Sequence, residues 1–309
     1  MAQFCNIPLL NPVKFVNNTA TPGTHFDDDW HINQIKSWER SVVYKQKWQD
    51  KDDVTIQIES TIAPGNLKCY NCKQEIVDEF TWSTVLTGTQ ASVYQVTVNL
   101  DYAYTNLGPN KTMYLYFECT LLDTSFKWIS EPIEFKQVQS NTRVIEYYNT
   151  YNDFGAFFID TGFRPRFRCE MDIMEFAPGR EKSAFIDQLR DVKTLSATPW
   201  RSFKLQVGDA RGVAPWVIDI LNRAFSCDRV LIDGKRYDTE ESAKWDINRP
   251  AKGYPLVGAE IEIVESFNEY SNQQTTVDIE PGIVTGFIIN SEFTGTAQDI
   301  QVEEITITS

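Results

Sequence analysis

The sequence predicts a mainly β protein in which a β-sandwich domain is followed by an α+β domain, with extended arms at both termini. Two patterns predict this class: apolar and polar residues alternate with a period of two in several runs between about 50 and 135, and a single convincing helical run follows at 215–225. A chain of 309 residues is long enough for about two domains. We therefore divide it into an N-terminal arm (1–45), a β-sandwich domain (46–138), an α+β domain (139–268) and an acidic, β-rich C-terminal arm (269–309).

The strands predicted for the β-sandwich domain are amphipathic. In the run 54–59 the apolar residues Val54, Ile56 and Ile58 alternate with polar ones, which is typical of a half-buried strand. The same period recurs over 94–100 and over 113–121. Since Gly108 and Pro109 lie between these two runs, we expect them to form a hairpin.

The second domain begins with three predicted strands, over 142–148, 156–159 and 163–171. In the third, the alternation places apolar residues on one side and Arg164, Arg166 and Arg168 on the other. These three arginines form a basic stripe on a protein of formal net charge −14, and we take them as interface candidates.

The main helix is predicted from Pro215, because proline suits the first helical position. A two-residue Asp-Gly hairpin turn is predicted shortly after the helix, and a strand over 259–264 closes the unit. A weaker helical pattern covers 181–192. The residues expected to form the structural core of this domain are Trp216, Ile220, Leu221 and Phe225 in the helix and Asp233 and Gly234 in the turn.

Possible metal ligands lie in the N-terminal arm, where His25, Asp27, Asp29 and His31 occur close together. The spacing of a calcium-binding EF-hand is missing, and adjacent residues of an extended chain point to opposite sides, so a solvated acidic turn is the preferred interpretation. Cys69 and Cys72 are interpreted as free thiols at a hairpin, because no second pair of ligands has zinc-site spacing. We therefore predict no metal and no cofactor.

Catalytic and nucleic-acid-binding classes are disfavoured by composition and motifs. Both histidines lie in the N-terminal arm and no G-x-S-x-G motif occurs, so we predict no catalytic residues and a non-enzymatic protein. The acidic balance argues against a broad basic surface for DNA, because such binding depends on Lys and Arg at phosphates. No apolar run approaches the ~20 residues that span a bilayer, so we expect no membrane insertion.

The C-terminal segment 253–309 contains ten acids and no Lys or Arg, together with β-forming apolar runs. Two alternatives stay open for both ends: they exchange with neighbouring copies by adding strands, or they pack on their own domain. In the first case the arginine stripe receives an acidic arm through Glu280, Glu303 and Glu304; in the second, the arginines form ion pairs within the chain.

Four stretches carry a resemblance to a known group of proteins: 128–133, 145–149, 212–228 and 232–237. Across about 45–265 the chain resembles the tail-associated virion proteins of bacteriophages that infect Bacteroidetes, the crAss-like phages included. The match is a pattern of framework residues and contains no catalytic motif. It leaves both arms uncovered.

This resemblance implies a structural subunit that assembles as a homo-oligomeric ring in the tail or in the connector between portal and tail. DNA is then expected to pass nearby without specific binding, and the partners are further copies and other tail, portal or ring proteins. The expected location is the virion tail, after synthesis in the cytoplasm of the bacterial host. The alternative is a carbohydrate-binding or adhesin-like β-sandwich protein of the tail tip, which would display exposed aromatic rings along one sheet.

Overall fold

The computed structural model describes residues 4–17, 44–71, 73, 75–105, 107, 111–121, 124–150, 161–186, 190, 192–209, 211–249 and 254–265. Within these residues the chain is mainly β, with eighteen strands in three sheets and one α-helix. The predicted fold class is confirmed. All of the described residues belong to a single unit, Met1–Phe267.

The first two sheets form a sandwich. The first sheet has four strands, in the spatial order β1 (Cys5–Asn6), β4 (Asp53–Ser60), β8 (Ser92–Asn99) and β7 (Ser83–Thr87). The second has a path of five strands, β2 (Phe15–Asn17), β10 (Thr124–Ser130), β9 (Thr112–Leu121), β11 (Ile133–Lys136) and β3 (Gln46–Gln49), and a branch of two, β5 (Leu67–Asn71) and β6 (Ile76–Phe80), that joins β9 through β5. The two sheets share one core, in which Ile56 and Val98 of the first pack with Leu115, Phe117 and Phe135 of the second.

The predicted hairpin between 94–100 and 113–121 is wrong. β8 pairs with β4 and β7, whereas β9 pairs with β5, β10 and β11, so the two strands lie in different sheets. The apolar faces were predicted correctly, since Val96, Val98, Leu115 and Phe117 are all buried. The other face of β9, which the alternation sets on the polar side, is buried as well at Tyr114 and Tyr116. Both strands present those faces to one interior from opposite sides, and alternation alone does not distinguish this arrangement from a hairpin.

Part of the predicted N-terminal arm belongs to the sandwich of its own chain. β1 pairs with β4 and β2 pairs with β10, both antiparallel. Between them Asn11 is 3% exposed, and its side-chain amide donates to the Gln57 carbonyl at 2.7 Å and accepts from the Gln57 backbone N–H at 2.9 Å. For residues 4–17 the structure therefore shows packing on the same chain, the second of the two alternatives.

The third sheet closes on itself. Six antiparallel strands pair in a closed cycle, and a seventh strand, β17 (Asp246–Asn248), lies outside the cycle and pairs with β18. The six strands of the closed cycle, in spatial order, are β12 (Thr142–Tyr148), β13 (Arg166–Ile186), β14 (Val192–Val207), β18 (Gly258–Glu265), β16 (Lys235–Asp238) and β15 (Arg229–Ile232). The sequence predicted an antiparallel sheet with a helix, and the structure adds its closure into a small barrel.

Helix α1 (Pro215–Ala224) covers this barrel and contributes to its core. Pro215 lies in the first turn, as predicted, and Ile220, Leu221 and the following Phe225 are buried, whereas Trp216 is partly buried. Gly212, just before the helix, has a φ of +83°, and a Cβ there would lie 2.8 Å from the Val257 carbonyl oxygen. Glycine is therefore required where the chain before the helix pairs with Val257, the residue that precedes β18.

The predicted Asp-Gly turn is confirmed. Asp233 and Gly234 have φ values of 50° and 80° and join β15 to β16, the geometry of a two-residue type I′ turn. Both residues are exposed, so their prediction as structural core residues is wrong, because a two-residue turn reverses the chain at the surface. The Asp233 carboxylate accepts from the Val144 backbone N–H at 3.1 Å and from the Arg143 guanidinium at 2.9 Å, which fixes the turn to β12.

The second helix predicted over 181–192 is wrong. Residues 181–186 belong to β13, and 192 begins β14. These strands pair from Met171↔Val207 out to Ile186↔Val192, so the antiparallel ladder replaces the local helical pattern. The strand predicted over 156–159 lies outside the described residues, and the proposed domain boundaries stay predictions.

Candidate interaction surfaces

The arginine stripe lies where the sandwich and the barrel meet. The Arg168 guanidinium forms two hydrogen bonds of 2.7 Å with the Asp52 carboxylate, and both side chains are largely buried, at 12% and 17% exposure. A planar guanidinium held by both carboxylate oxygens is the strong, directional form of ion pair. Arg168 therefore fastens the start of β13 to the sandwich residue that precedes β4.

The other two arginines of the stripe are more exposed. Arg166 donates to Glu146 at 2.8 Å and lies 3.7 Å from Asp53. The Arg164 guanidinium lies 4.5 Å from the centre of the Tyr148 ring, a cation–π contact. All three arginines thus have partners within the chain. Their predicted acceptors Glu280, Glu303 and Glu304 lie outside the described residues, so an acidic arm at this stripe stays a prediction.

A cleft of about 340 Å³ opens beside these ion pairs, between sandwich residues and barrel residues. Its charged lining holds both signs, Lys51, Arg166 and Arg168 against Asp52, Asp53, Glu146 and Asp233. Trp48 also lines the cleft, and its buried indole N–H has no hydrogen-bond partner within the described part of the chain. The positive and negative charges of the lining nearly balance. The cleft is therefore better explained as a hydrated gap between the sandwich and the barrel than as a binding site for a charged ligand.

A second polar contact joins sandwich and barrel through Glu170 of β13. Its carboxylate accepts from the Tyr44 hydroxyl at 3.1 Å and lies 3.4 Å from the Lys47 ammonium. Burial raises the pKa of Glu170, the charge of Asp209 adds to the rise, and Lys47 and Tyr44 partly oppose it. Lys47 also pairs with Glu134 of the sandwich at 3.0 Å, so its ammonium bridges a sandwich carboxylate and the barrel carboxylate of Glu170.

The outer part of the β13–β14 hairpin extends beyond the strands β12 and β18 that flank its base. We call residues 176–186 and 192–201 the ribbon; they pair with each other, and no other described strand pairs with them. Ten residue steps at about 3.3 Å give the ribbon a length of roughly 33 Å. Its side chains that the structure describes are exposed, among them Ile186 at 68% and Val192 at 61%.

Both edges of the ribbon contain a proline whose nitrogen faces outward. The Gly208 N–H donates to the Glu170 carbonyl, so on β14 the even-numbered N–H groups face β13 and the odd-numbered ones, Pro199 included, face away. Pro178 is directly opposite Arg201. Since the N–H of the odd-numbered Arg201 faces away from β13, these two residues form a non-hydrogen-bonded pair, and the nitrogen of Pro178 also faces away from its partner strand. The inner ladder is therefore intact, while each outer edge lacks a donor.

The metal candidates His25, Asp27, Asp29 and His31 lie outside the described residues. Within the described ranges, no group of three or more His, Cys, Asp or Glu side chains is placed to hold a metal ion. Cys69 is a free, buried thiol on β5 whose pKa is raised by burial, and its predicted neighbour Cys72 lies outside the described residues. No helix in the described part of the chain is long and apolar enough to cross a bilayer.

Sequence reasoning missed two sets of residues. The partners Asp52 of Arg168 and Lys47 of Glu170 are distant in sequence, and nothing in a single sequence joins them. The ribbon left a weak signal, since Arg180 and Lys182 have the spacing of one strand face, but residues 181–192 were interpreted as a helical pattern instead.

A search of protein-family models finds none that matches this chain, and no curated protein matches it significantly.

Proposed function

We propose that this protein is a non-enzymatic virion structural protein, a subunit of a homo-oligomeric ring in a bacteriophage tail or portal-tail connector. The observation that carries the proposal is the ribbon, which extends from the barrel without a third strand from the described chain. An isolated two-stranded hairpin is at best marginally stable in water, so a ribbon of this length is typical of an element completed by another molecule.

The rest of the described chain suits a rigid building block. The sandwich and the barrel are joined by the Arg168–Asp52 ion pair and by the contacts of Glu170 with Tyr44 and Lys47. These contacts resist rotation of the sandwich against the barrel. A rigid subunit that reaches its neighbour through a different surface from the one that receives the neighbour makes a heterologous contact. Such contacts form a ring when the rotation between neighbours closes.

The resemblance to tail-associated proteins of Bacteroidetes phages supplies the setting. In this proposal the protein is made in the cytoplasm of the bacterial host and becomes part of the virion tail. Its partners are further copies of itself and neighbouring tail, portal or ring proteins. In this proposal DNA passes near the subunits without being bound. The net charge of −14 supports this part of the proposal, because an acidic surface repels phosphates.

The adhesin-like alternative is not favoured by an observation. It requires a row of exposed rings on one sheet, and the markedly exposed aromatic side chains among the described residues are Phe4 and Tyr104, both outside the strands.

The test is native mass spectrometry of the full chain, with negative-stain images of the same sample. The proposal expects one closed multimer with a central opening. A protein that stays monomeric at every concentration and in the presence of the other virion proteins of its phage contradicts the proposal. A monomer that binds glycans would support the adhesin-like alternative instead.

A further inference from the structure

Cys5 and Cys119 lie on facing sheets of the sandwich and contact the same core. Cys5 is on β1 in the first sheet, directly opposite the buried Ser60 of β4. Residues opposite each other on an antiparallel pair share a face, so the side chains of Cys5 and Ser60 point the same way. The Ser60 hydroxyl lies 3.9 Å from the sulfur of Cys119, which belongs to β9 in the second sheet. The two cysteines therefore face each other between the sheets.

The backbone next to Cys5 is held in place by hydrogen bonds to the end of β4. The Thr61 backbone N–H donates to the Phe4 carbonyl at 3.1 Å, and the Ser60 hydroxyl lies 3.3 Å from the same oxygen. The Phe4 N–H in turn donates to the Thr61 hydroxyl at 3.0 Å. Because these bonds fix the residue before Cys5, they position the Cys5 thiol next to Cys119.

The two thiols change each other's ionisation. A hydrogen bond between them is the largest influence on both: it raises the pKa of Cys5, as burial does, and it lowers the pKa of Cys119. The Ser60 hydroxyl lowers the pKa of Cys119 further, against the opposing effect of burial. The pair therefore loses its first proton at Cys119, and the Cys5 thiol then donates to the Cys119 thiolate.

The other cysteines that the structure describes differ from this pair. Cys69, Cys169 and Cys227 are buried free thiols, and the pKa of each is raised chiefly by burial. Such thiols react slowly, because the thiolate is the reactive form. Cys5 is also a free thiol but is partly exposed. A reagent in the solvent therefore reaches the pair through Cys5.

We propose that Cys5 and Cys119 are a redox-active pair, which a low-molecular-weight disulfide such as oxidised glutathione converts to a disulfide within one chain. This modification site goes beyond the proposed function and does not depend on assembly, because both cysteines belong to the same chain. The pair stays reduced in a reducing compartment and closes in an oxidising one.

The reaction consists of two exchange steps. In the first, the Cys5 sulfur attacks one sulfur of the small disulfide while its proton passes to the Cys119 thiolate. The bond within the small disulfide breaks, and the first small thiolate leaves and takes up the proton that the pair had released. In the second step the Cys119 sulfur attacks the Cys5 sulfur, and the second small thiol leaves with the Cys119 proton. Two cysteine thiols are thus oxidised by two electrons, and one small disulfide is reduced to two thiols.

The disulfide links the two sheets of the sandwich and fastens the N-terminal strand β1 to its own chain. It also closes a loop of about 110 residues in the unfolded chain, which lowers the entropy of the unfolded state and stabilises the fold.

The experiment exposes the folded full chain to defined mixtures of reduced and oxidised glutathione and then alkylates the remaining thiols under denaturing conditions. Peptide mass spectrometry is expected to find the peptide of Cys5 linked to that of Cys119, whereas Cys69, Cys169 and Cys227 are alkylated. The proposal is overturned if Cys5 is alkylated in every mixture, carries only glutathione, or is linked to a different cysteine or to a second copy.

Thermal unfolding of two variants provides a second readout. In the unmodified chain, oxidation is expected to raise the midpoint by about 5 °C or more. Cys5→Ser removes the exposed thiol and should abolish this rise. The matched control is Cys227→Ser, which keeps a donor for the Arg223 carbonyl that the Cys227 thiol approaches at 3.6 Å, and it should keep the rise. An equal rise in the Cys5→Ser variant would show that oxidation acts elsewhere and would overturn the proposal.

Discussion

β13 and β14 have two different environments along their length. In the barrel, β13 also pairs with β12 and β14 also pairs with β18, and residues such as Phe167, Leu205 and Val207 are fully buried. Beyond Phe203 the same two strands continue as the ribbon, with partners on one edge each and exposed side chains at Ile186 and Val192. One hairpin thus belongs to the core at its base and to the surface at its end.

The comparison shows that backbone pairing and burial make separate contributions. The ladder continues from base to end, but the apolar side chains that the structure describes at the end of the ribbon, Ile186 and Val192, are exposed, and burial is the dominant stabilising term. We therefore expect the base of the hairpin to determine the stability of the chain and the ribbon to determine its assembly.

The largest expected effect comes from breaking the anchor at the base of β13. Arg168→Ala leaves the largely buried Asp52 carboxylate without its partner and is expected to lower the free energy of unfolding by about 3 kcal/mol. Arg164→Ala, in the same stripe, removes an exposed cation–π contact and is expected to cost below about 1 kcal/mol. Urea unfolding followed by fluorescence measures both.

A double-mutant cycle with Asp52→Asn tests whether the pair itself is responsible. The combined loss for Arg168→Ala/Asp52→Asn should be smaller than the sum of the single losses. Strict additivity would mean that Arg168 acts through packing alone.

The next effect compares two valines on one strand. Val207→Ala creates a cavity in the barrel core and is expected to cost about 2.5 kcal/mol, because the buried methyl groups are lost and the site collapses incompletely. Val192→Ala, at the end of the ribbon, should change stability by less than about 0.5 kcal/mol in the dissociated chain. Thermal unfolding under dissociating conditions gives the comparison. Equal losses at the two positions would show that the ribbon is part of the cooperative core.

The smallest expected effect is a pH dependence at the junction. The pKa of Glu170 is raised in the folded chain, chiefly by burial. A carboxyl whose folded pKa exceeds its unfolded pKa contributes stability fully below the unfolded value and loses it as pH rises through the folded value. The free energy of unfolding should therefore fall as pH rises from the unfolded pKa of Glu170 through its folded pKa. Glu170→Gln should remove this pH-dependent loss of stability.

Glu240→Gln, at an exposed turn, is the matched control for Glu170→Gln and should leave the pH profile unchanged. An identical profile for the Glu170→Gln variant and the unmodified chain would rule out Glu170 as the titrating group.

Local patterns in the sequence predicted the faces of strands and helix, because period and turn chemistry act over a few residues. The burial of Val54, Ile56 and Ile58, the first turn at Pro215 and the Asp233-Gly234 turn were all predicted on this basis. Each depends on residues adjacent in the chain or within two helical turns.

Partners across long stretches of chain could not be predicted. The alternation in β8 and β9 is the same whether they pair with each other or face each other from two sheets, and closure of the barrel depends on the pairing of β14 with β18. The helical pattern around Phe185 was overridden by the ladder that pairs 184–186 with 192–194. The Arg168–Asp52 pair joins residues 116 apart, and single-sequence reasoning offers many carboxylates for that role.

The most direct test of the account is amide hydrogen exchange on the full chain, measured in its assembled form and in the same protein diluted to subunits. The account predicts that amides of the ribbon become protected on assembly, while those of the barrel halves of β13 and β14 exchange equally slowly in both states. Ribbon amides that exchange at the same rate in assembly and subunit would contradict it, because the ribbon would then have no neighbour.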